Sequence, residues 1–312
     1  MLSRMGAWLK EFRLTFLMFG VVPVIIGSLV AYDYYPEQFS WTYFFLSLAA
    51  IMLLHAGTIA FNDYFDFRSG ADIINKERTP FTGGTGLLVD GILKPSHVLA
   101  AGSICFVLCI TIGMFIVFTR SPAVFLFGVV GVGLGALYTA PPLRLAYRLL
   151  GEITWLVSFP LTAMGALIVQ APPFSIADVT ALQPAIVAAT VDAMPVALLA
   201  TAGFIVLEFP DYNADRASGK VGAAVMLGKR ATIGLFAAFC ILSFVCLAVA
   251  VALGYIPFMA MAALILTPAM TWVGSGLVKY IEHPVKLVPY IVAGAIVIYL
   301  FSIAIIISLA FK

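Results

Sequence analysis

The sequence predicts an all-α, polytopic membrane protein with about nine transmembrane helices around a central cavity. Three observations predict it. Hydrophobic residues make up 63% of the 312-residue chain and charged residues only 10%, with a mean hydropathy of +1.10. Soluble domains carry about 25% charged residues, so residues 1–312 read as a single membrane-embedded domain. Second, long apolar runs recur along the whole chain. Third, acidic residues gather in two short motifs, each closing one of those runs.

In order, the apolar runs predict spans over 14–32, 41–61, 97–118, 122–140, 151–170, 185–208, 231–252, 257–278 and 288–310. The first follows a short basic stretch, but eight more come after it, so it reads as a membrane helix rather than a cleaved signal. Pro23, Pro160, Pro195 and Pro268 interrupt spans and are expected to kink them or widen a cavity. Gly128, Gly131, Gly133 and Gly135 sit in an apolar span with no strand before them. They predict close helix packing, not a dinucleotide fingerprint. Cys105, Cys109, Cys240 and Cys246 all fall inside spans and read as buried free thiols.

With the N-terminus inside, all but Arg120 and Lys312 of the 17 Lys and Arg residues fall in the inner segments. That positive-inside bias predicts a multi-pass protein of the cell (inner) membrane, with its N-terminus and both acidic motifs on the cytoplasmic side. The bilayer is then a partner; no nucleic-acid partner is expected at a net charge of +2.

The first motif is Asn62-Asp63-Tyr64-Phe65-Asp66, continuing through Arg68 and Gly70 to Asp72; the second is Asp211-Tyr212-Asn213-Ala214-Asp215, followed by Arg216, Gly219 and Lys220. Asn62 and Asp66 are four apart, Asp63 and Asp66 three, and Asp211 and Asp215 four, so each set shares one helical face. The two motifs end the second and sixth spans, a hint of internal duplication. A carboxylate at the bilayer centre costs roughly 2.5–3.5 kcal/mol, so four aspartates must face a hydrated interior or cations.

Paired carboxylates suit Mg²⁺, which is typically held by one or two carboxylates plus substrate phosphates. Lys76, Arg78, Arg144 and Arg148 are candidates to pair with the same phosphates. A diphosphate held this way is a good leaving group. An allylic chain attached to it would leave as a cation that the faces of Tyr64, Phe65, Tyr138, Tyr147, Trp155 and Phe204 can stabilise. Gly83-Gly84-Thr85-Gly86 lacks the ending of a P-loop and reads as a phosphate-facing loop or a plain turn. His55 shares roughly the face of Asn62 and Asp66 and is expected to make a helix-to-helix hydrogen bond. Asp192 is an isolated intramembrane acid expected to reach the outer interface.

These residues resemble the UbiA-type intramembrane prenyltransferase superfamily over nearly the whole chain. The detail is most similar to its menaquinone branch, the 1,4-dihydroxy-2-naphthoate prenyltransferases. That likeness is carried by Asn62 to Asp72, Thr82 to Gly86, Tyr138-Thr139 running to Ala146-Tyr147-Arg148 and Gly151-Glu152, and Glu208-Phe-Pro-Asp211 with Asp215 and Gly219-Lys220. The resemblance implies Asp63, Asp66, Asp211 and Asp215 as Mg²⁺ ligands and, with Asp72, as the catalytic set. It implies Asn62 at the metal and diphosphate and Arg78 and Arg148 in contact with the diphosphate; Lys76, Tyr138, Arg144, Glu208 and Lys220 are the further candidate binding residues for the diphosphate or the acceptor. Leu207 departs from the Asn found there in many relatives, which points to Glu208 or Asn213 as its replacement.

The implied reaction is transfer of a polyprenyl group from a polyprenyl diphosphate to an aromatic acceptor, with dihydroxynaphthoate favoured. Mg²⁺-assisted ionisation, attack by the ring carbon and proton loss, with decarboxylation, would complete it. Acceptors such as 4-hydroxybenzoate, homogentisate, a tetrapyrrole or a glycerol lipid belong to the same superfamily. Outside it, a CDP-alcohol phosphotransferase would need one run of the form Asp-x-x-Asp-Gly-x-x-Ala-Arg, which residues 63–72 do not supply. A cation transporter would place its acids near the bilayer midplane.

Overall fold

Each predicted span corresponds to helix in the computed structural model, which describes residues 4–172 and 179–312. A short helix α1 (Arg4–Glu11) precedes α2 (Leu14–Tyr34) and α3 (Trp41–Ser69), with α4 (Ala71–Ile74) directly after. Next come α5 (Pro95–Thr119), α6 (Val124–Ala136), α7 (Gly151–Gln170) and α8 (Val179–Ser218). The chain closes with α9 (Ala223–Leu227), α10 (Lys229–Ala252), α11 (Thr267–Lys279) and α12 (Val288–Ala310). No strand occurs among the described residues; one isolated parallel bridge joins Arg148 to Val221.

Eight segments are long and apolar enough to cross a membrane, and α6 is the shorter apolar helix that fills the remaining place. It stops at Ala136 because Pro141-Pro142 follow closely and a residue before proline is pushed away from helical dihedrals. The eighth predicted span is split: residues Phe258–Leu266 form 3₁₀ turns and α11 begins at Thr267. Pro268 therefore starts a helix, where its missing N–H costs nothing, instead of interrupting one. Pro23, Pro160 and Pro195 do lie inside their helices.

The core is made by α2, α7, α8, α10 and α12. Ile26, Leu167, Leu199, Ile205, Phe301 and Ile305 are all fully buried in it. Small residues set the approach of helices here: a Cβ on Gly27 of α2 would lie 2.0 Å from the Ala163 carbonyl oxygen of α7. The glycines of α6 behave differently from the expectation of close packing. A Cβ on Gly128 or Gly133 would meet nothing within 4 Å, and only Gly135 presses on a neighbour, at 2.6 Å from Thr58 Oγ1.

The two basic residues assigned to the outer side each have partners of their own. Lys312 pairs with Asp33 at 3.0 Å, and Arg120 donates to the carbonyls of Val169 and Gln170 at 2.9 and 3.0 Å. Asp33 closes α2, whereas Arg13 before its start faces the first acidic motif. Asp192, expected to reach the interface, is instead fully buried. Its two oxygens have no hydrogen-bond partner among the described residues. All four cysteines are free, three of them buried and Cys246 half-buried.

Candidate active site

Both acidic motifs lie in the last turns of long helices, at the same end of the bundle. In α3, Gly70 takes a left-handed conformation (φ +87°) and ends the helix just past Asp66, so that Asp72 on α4 turns back toward the motif. In α8, Gly219 (φ +76°) does the same after Asp215 and sends Lys220 back. No atom crowds a Cβ at either glycine, so the requirement is for the dihedral and not for space. The same local device brings one polar residue back into each half of the site.

These halves are then tied together. Lys220 Nζ lies 3.0 Å from Asp66 Oδ2 and 3.8 Å from Asp215 Oδ1. Asn75 Nδ2 donates to Asp211 Oδ1 at 2.8 Å and the Gly83 N–H to Asp211 Oδ2 at 3.1 Å. On the other side of the same loop, the Thr85 N–H donates to Asp63 Oδ2 at 2.9 Å. Arg13 Nη2 completes Asp63 at 3.1 Å. The Asp66 carboxylate also accepts from Tyr147 at 2.7 Å and Asn62 at 3.3 Å. Asp63, Asp66 and Asp215 are all buried. Without these donors the carboxylates would bear the full cost of leaving water.

Electrostatics follow from that crowding. Burial lowers the affinity of Lys220 for its proton, but the carboxylates of Asp215, Asp66 and Asp211 outweigh it and hold the ammonium well above the usual lysine range. Burial, then the charges of Asp66 and Asp63, push the Asp72 carboxyl up to about 8. Glu11, whose Oε2 accepts from the Thr85 hydroxyl at 2.9 Å, is likewise pushed up to about 8 by burial and then by Asp63. Among the described residues, no three His, Cys, Asp or Glu side chains converge as a ready-made metal centre.

A polar cavity of about 780 Å³ opens among these groups, lined by Asn62, Asp66, Asp72, Tyr138, Glu208, Asp211, Asp215 and Lys220. It also takes in Thr82, Gly83 and Glu152, from segments that carried the family likeness, and Arg13 and Asn75, which the sequence did not single out. Asp63 sits behind, facing Arg13. Glu208 and Glu152 accept from the N–H groups of Ala224 and Ala223 at 2.8 and 2.5 Å, which holds the segment after Lys220. Asn213 turns away to donate to Glu77 at 3.0 Å, so Glu208 is the polar group standing beside Leu207.

The other predicted cations lie outside this cavity. Lys76, Arg144 and Arg148 are exposed; Arg148 reaches the Pro142 carbonyl at 3.5 Å and Arg144 lies over the Tyr147 ring. Arg78 donates to the Asp72 carbonyl oxygen at 3.4 Å and approaches Asp90. Arg13 was the hardest to see in sequence, as one of many inner basic residues. Its left-handed backbone (φ 42°) between α1 and α2 is what aims it at Asp63.

Deeper in the bundle a second, apolar cavity of about 1170 Å³ continues from the first. Trp155 and Phe204, stacked at 5.2 Å with an interplanar angle of 20°, and Phe19, Phe159 and Tyr138 form much of its wall. Of the aromatics predicted for cation stabilisation, Tyr138, Trp155 and Phe204 line it, while Tyr64 packs against the α1 side. His55 lines it too and packs against α2, where a Cβ on Gly20 would lie 3.1 Å from its ring.

A polar end with several carboxylates, one ammonium and one guanidinium thus runs into an oily, aromatic chamber. Compared with known proteins, residues 20–286 match the UbiA prenyltransferase family. The chain belongs to that family. The UbiA chain is 27% identical over 217 residues to 1,4-dihydroxy-2-naphthoate octaprenyltransferase of Bacillus subtilis (strain 168), covering 70% of itself and 64% of that relative. It is 29% identical over 171 residues to 2-carboxy-1,4-naphthoquinone phytyltransferase of Synechocystis sp., covering 54% and 52%. It therefore spans less than two thirds of the length of these curated relatives. Its fold is similar to a UbiA homologue from Archaeoglobus fulgidus bound to DMAPP and Mg²⁺, with a TM-score of 0.60 and 16% identity over 96% of this chain and 98% of that one.

Proposed function

We propose that this UbiA prenyltransferase transfers a polyprenyl group from a polyprenyl diphosphate to an aromatic acceptor, 1,4-dihydroxy-2-naphthoate or a close relative. The single observation that carries the donor reading is the continuity of the two cavities. Arg13, Asn62, Phe81, Tyr138, Phe204 and Leu207 line both, so a molecule with an anionic head and an oily tail fits one unbroken space. The naphthoate acceptor is supported by the names of the Bacillus and Synechocystis relatives.

Mg²⁺ fits the residues present. A cation, Lys220, already stands between Asp66 and Asp215, and the carboxylate set around it is built to hold positive charge. Asp66, Asp211 and Asp215, which line the cavity, would hold the metal, while Asp63, the fourth expected ligand, stands behind them against Arg13. Bound there, Mg²⁺ supplies charge compensation for the departing diphosphate. Lys220 and Asn62 orient the diphosphate, and Arg13 holds Asp63 in place. The stacked Trp155 and Phe204 exclude water and present π-faces to positive charge on the allylic carbon. Asp72, with its raised proton affinity, stands near enough to the motif to hold a proton. The density of basic residues at this end supports a cytoplasmic opening.

The test is a Mg²⁺-dependent assay in lipid with labelled prenyl diphosphate, offering dihydroxynaphthoate and 4-hydroxybenzoate separately. A prenylated, decarboxylated naphthol is the expected product. Product from hydroxybenzoate alone overturns the acceptor, and no diphosphate release with either overturns the donor.

A further inference from the structure

Two buried oxygens in the polar cavity are left without a bond. Glu208 Oε1 and Tyr138 Oη both belong to residues that line it, and neither has a hydrogen-bond partner among the described residues. Glu208 uses its other oxygen, Oε2, to accept from the Ala224 N–H at 2.8 Å, while Glu152 accepts from the preceding N–H, that of Ala223. Holding this segment therefore takes one oxygen of Glu208 and leaves Oε1 over. Two glycines keep the surroundings open. A Cβ on Gly222 would lie 2.8 Å from Glu208 Oε2, and one on Gly151 would lie 3.3 Å from Tyr138 Oη and 3.8 Å from the Phe204 ring. Among the described residues no Lys or Arg forms an ion pair with Glu152 or Glu208; Lys220 pairs with Asp66 and Asp215 instead. Tyr138 and Phe204 line the apolar cavity as well as the polar one, and Glu208 follows Phe204 by one helical turn. Buried polar atoms are nearly always bonded, so an unpartnered acceptor and an unpartnered hydroxyl lining one cavity point to a ligand.

We propose that Glu208 and Tyr138 form the subsite for a ring hydroxyl of the acceptor, which donates to Glu208 Oε1 and accepts from Tyr138 Oη. The proposal rests on the prenyl-transfer reading above and adds the group by which the acceptor is chosen. A hydroxyl serves both oxygens, because it brings a donor for the carboxylate and lone pairs for the phenol. A carboxylate brings no donor and would meet two carboxylates that no cation offsets, so an acid group on the acceptor points away from this corner. A diphosphate is excluded for the same reason and belongs with Lys220. The bond from hydroxyl to carboxylate is charge-assisted and strong. It draws the proton away from the ring oxygen, which raises electron density on the neighbouring ring carbon, the atom that must attack the allylic chain. Binding and activation of the acceptor thus fall on the same contact.

The experiment compares full-length wild type, Glu208→Gln and Tyr138→Phe in liposomes with Mg²⁺ and geranylgeranyl diphosphate. Each is given the acceptor that the assay above selects and, separately, each of its O-methyl ethers. Glu208→Gln keeps a carbonyl oxygen for the Ala224 N–H and turns an amide donor toward the hydroxyl. Tyr138→Phe removes an oxygen that bonds to nothing in the protein. Wild type is expected to prefer the free hydroxyl over at least one ether in kcat/KM. That preference falls about tenfold or more in Glu208→Gln and about fivefold in Tyr138→Phe, the scales of a charged and a neutral hydrogen bond, with KM for the donor unchanged. A preference that survives in both variants, even at a lower rate, means that these residues only support the fold, and overturns the proposal. Equal use of hydroxyl and ethers by wild type overturns it too, while prenyl transfer itself stands. A higher KM for the donor with the preference intact assigns Glu208 to the diphosphate and is a third contrary result. Should Glu208→Gln not fold, Tyr138→Phe alone decides by the same outcomes. No diphosphate release by wild type with any acceptor removes the donor reading and this proposal together.

Discussion

Lys220 donates to Asp66 across 3.0 Å, joining the end of α8 to the end of α3. The ammonium is one positive charge among several buried carboxylates, and it is the only lysine lining the polar cavity among the described residues. Replacing it with methionine keeps the stem and removes the charge. The expected loss in kcat is about 10²-fold, the scale of deleting one charge-stabilising donor. Lys220→Arg keeps the charge but not the compact three-donor geometry, so it restores only part of the activity. Steady-state kinetics on both variants check this; equal kcat in Lys220→Met and wild type would contradict it.

Arg13 protects Asp63, which is only 2% exposed. Arg13→Ala leaves that carboxylate with one remaining donor, the Thr85 N–H. Breaking a buried pair costs about 3–5 kcal/mol, and residual solvent contact at Arg13 puts this case at the low end. Thermal unfolding in detergent is expected to show the loss for Ala, with Arg13→Lys recovering most of it.

Gly83 and Gly84 combine a left-handed backbone (φ +73° and +70°) with close neighbours. A Cβ on Gly83 would lie 2.5 Å from Asn75 Nδ2, and one on Gly84 2.3 Å from Asp72 Oδ2. Alanine at either position is expected to cost about 1–2 kcal/mol from the dihedral alone. Displacing Asn75 or Asp72 should then cut turnover as well. Gly91→Ala is the control: its φ is +67° with nothing within 4 Å, so it should lose stability and keep its rate.

Metal removal gives a further test. Chelation is expected to abolish turnover and Mg²⁺ to restore it, while Asp66→Asn and Asp215→Asn stay folded and inactive at any Mg²⁺ concentration. Circular dichroism and product assay separate folding from chemistry. Full activity in either Asn variant would mean that the paired aspartates are not the metal ligands.

Hydropathy was enough to place the membrane helices, because a run of apolar residues long enough to span lipid has few alternatives there. Spacing alone grouped Asp63 with Asp66 and Asp211 with Asp215, since neighbours three and four apart on a helix share a face whatever surrounds them. Which cations reach those faces is a long-range matter. Lys220 enters the cavity while Lys76, Arg144 and Arg148 remain outside, and nothing in their local patterns distinguishes them. The difference comes from Gly219, whose left-handed turn redirects the chain, and from Glu152 and Glu208, which hold the segment after it. Arg13 shows the same limit: a kink between two helices and a partner fifty residues away make it part of the site. The α6 glycines show it in reverse. Their composition is that of a tight helix contact, yet packing left open space beside two of the four, because a glycine permits close approach without requiring it.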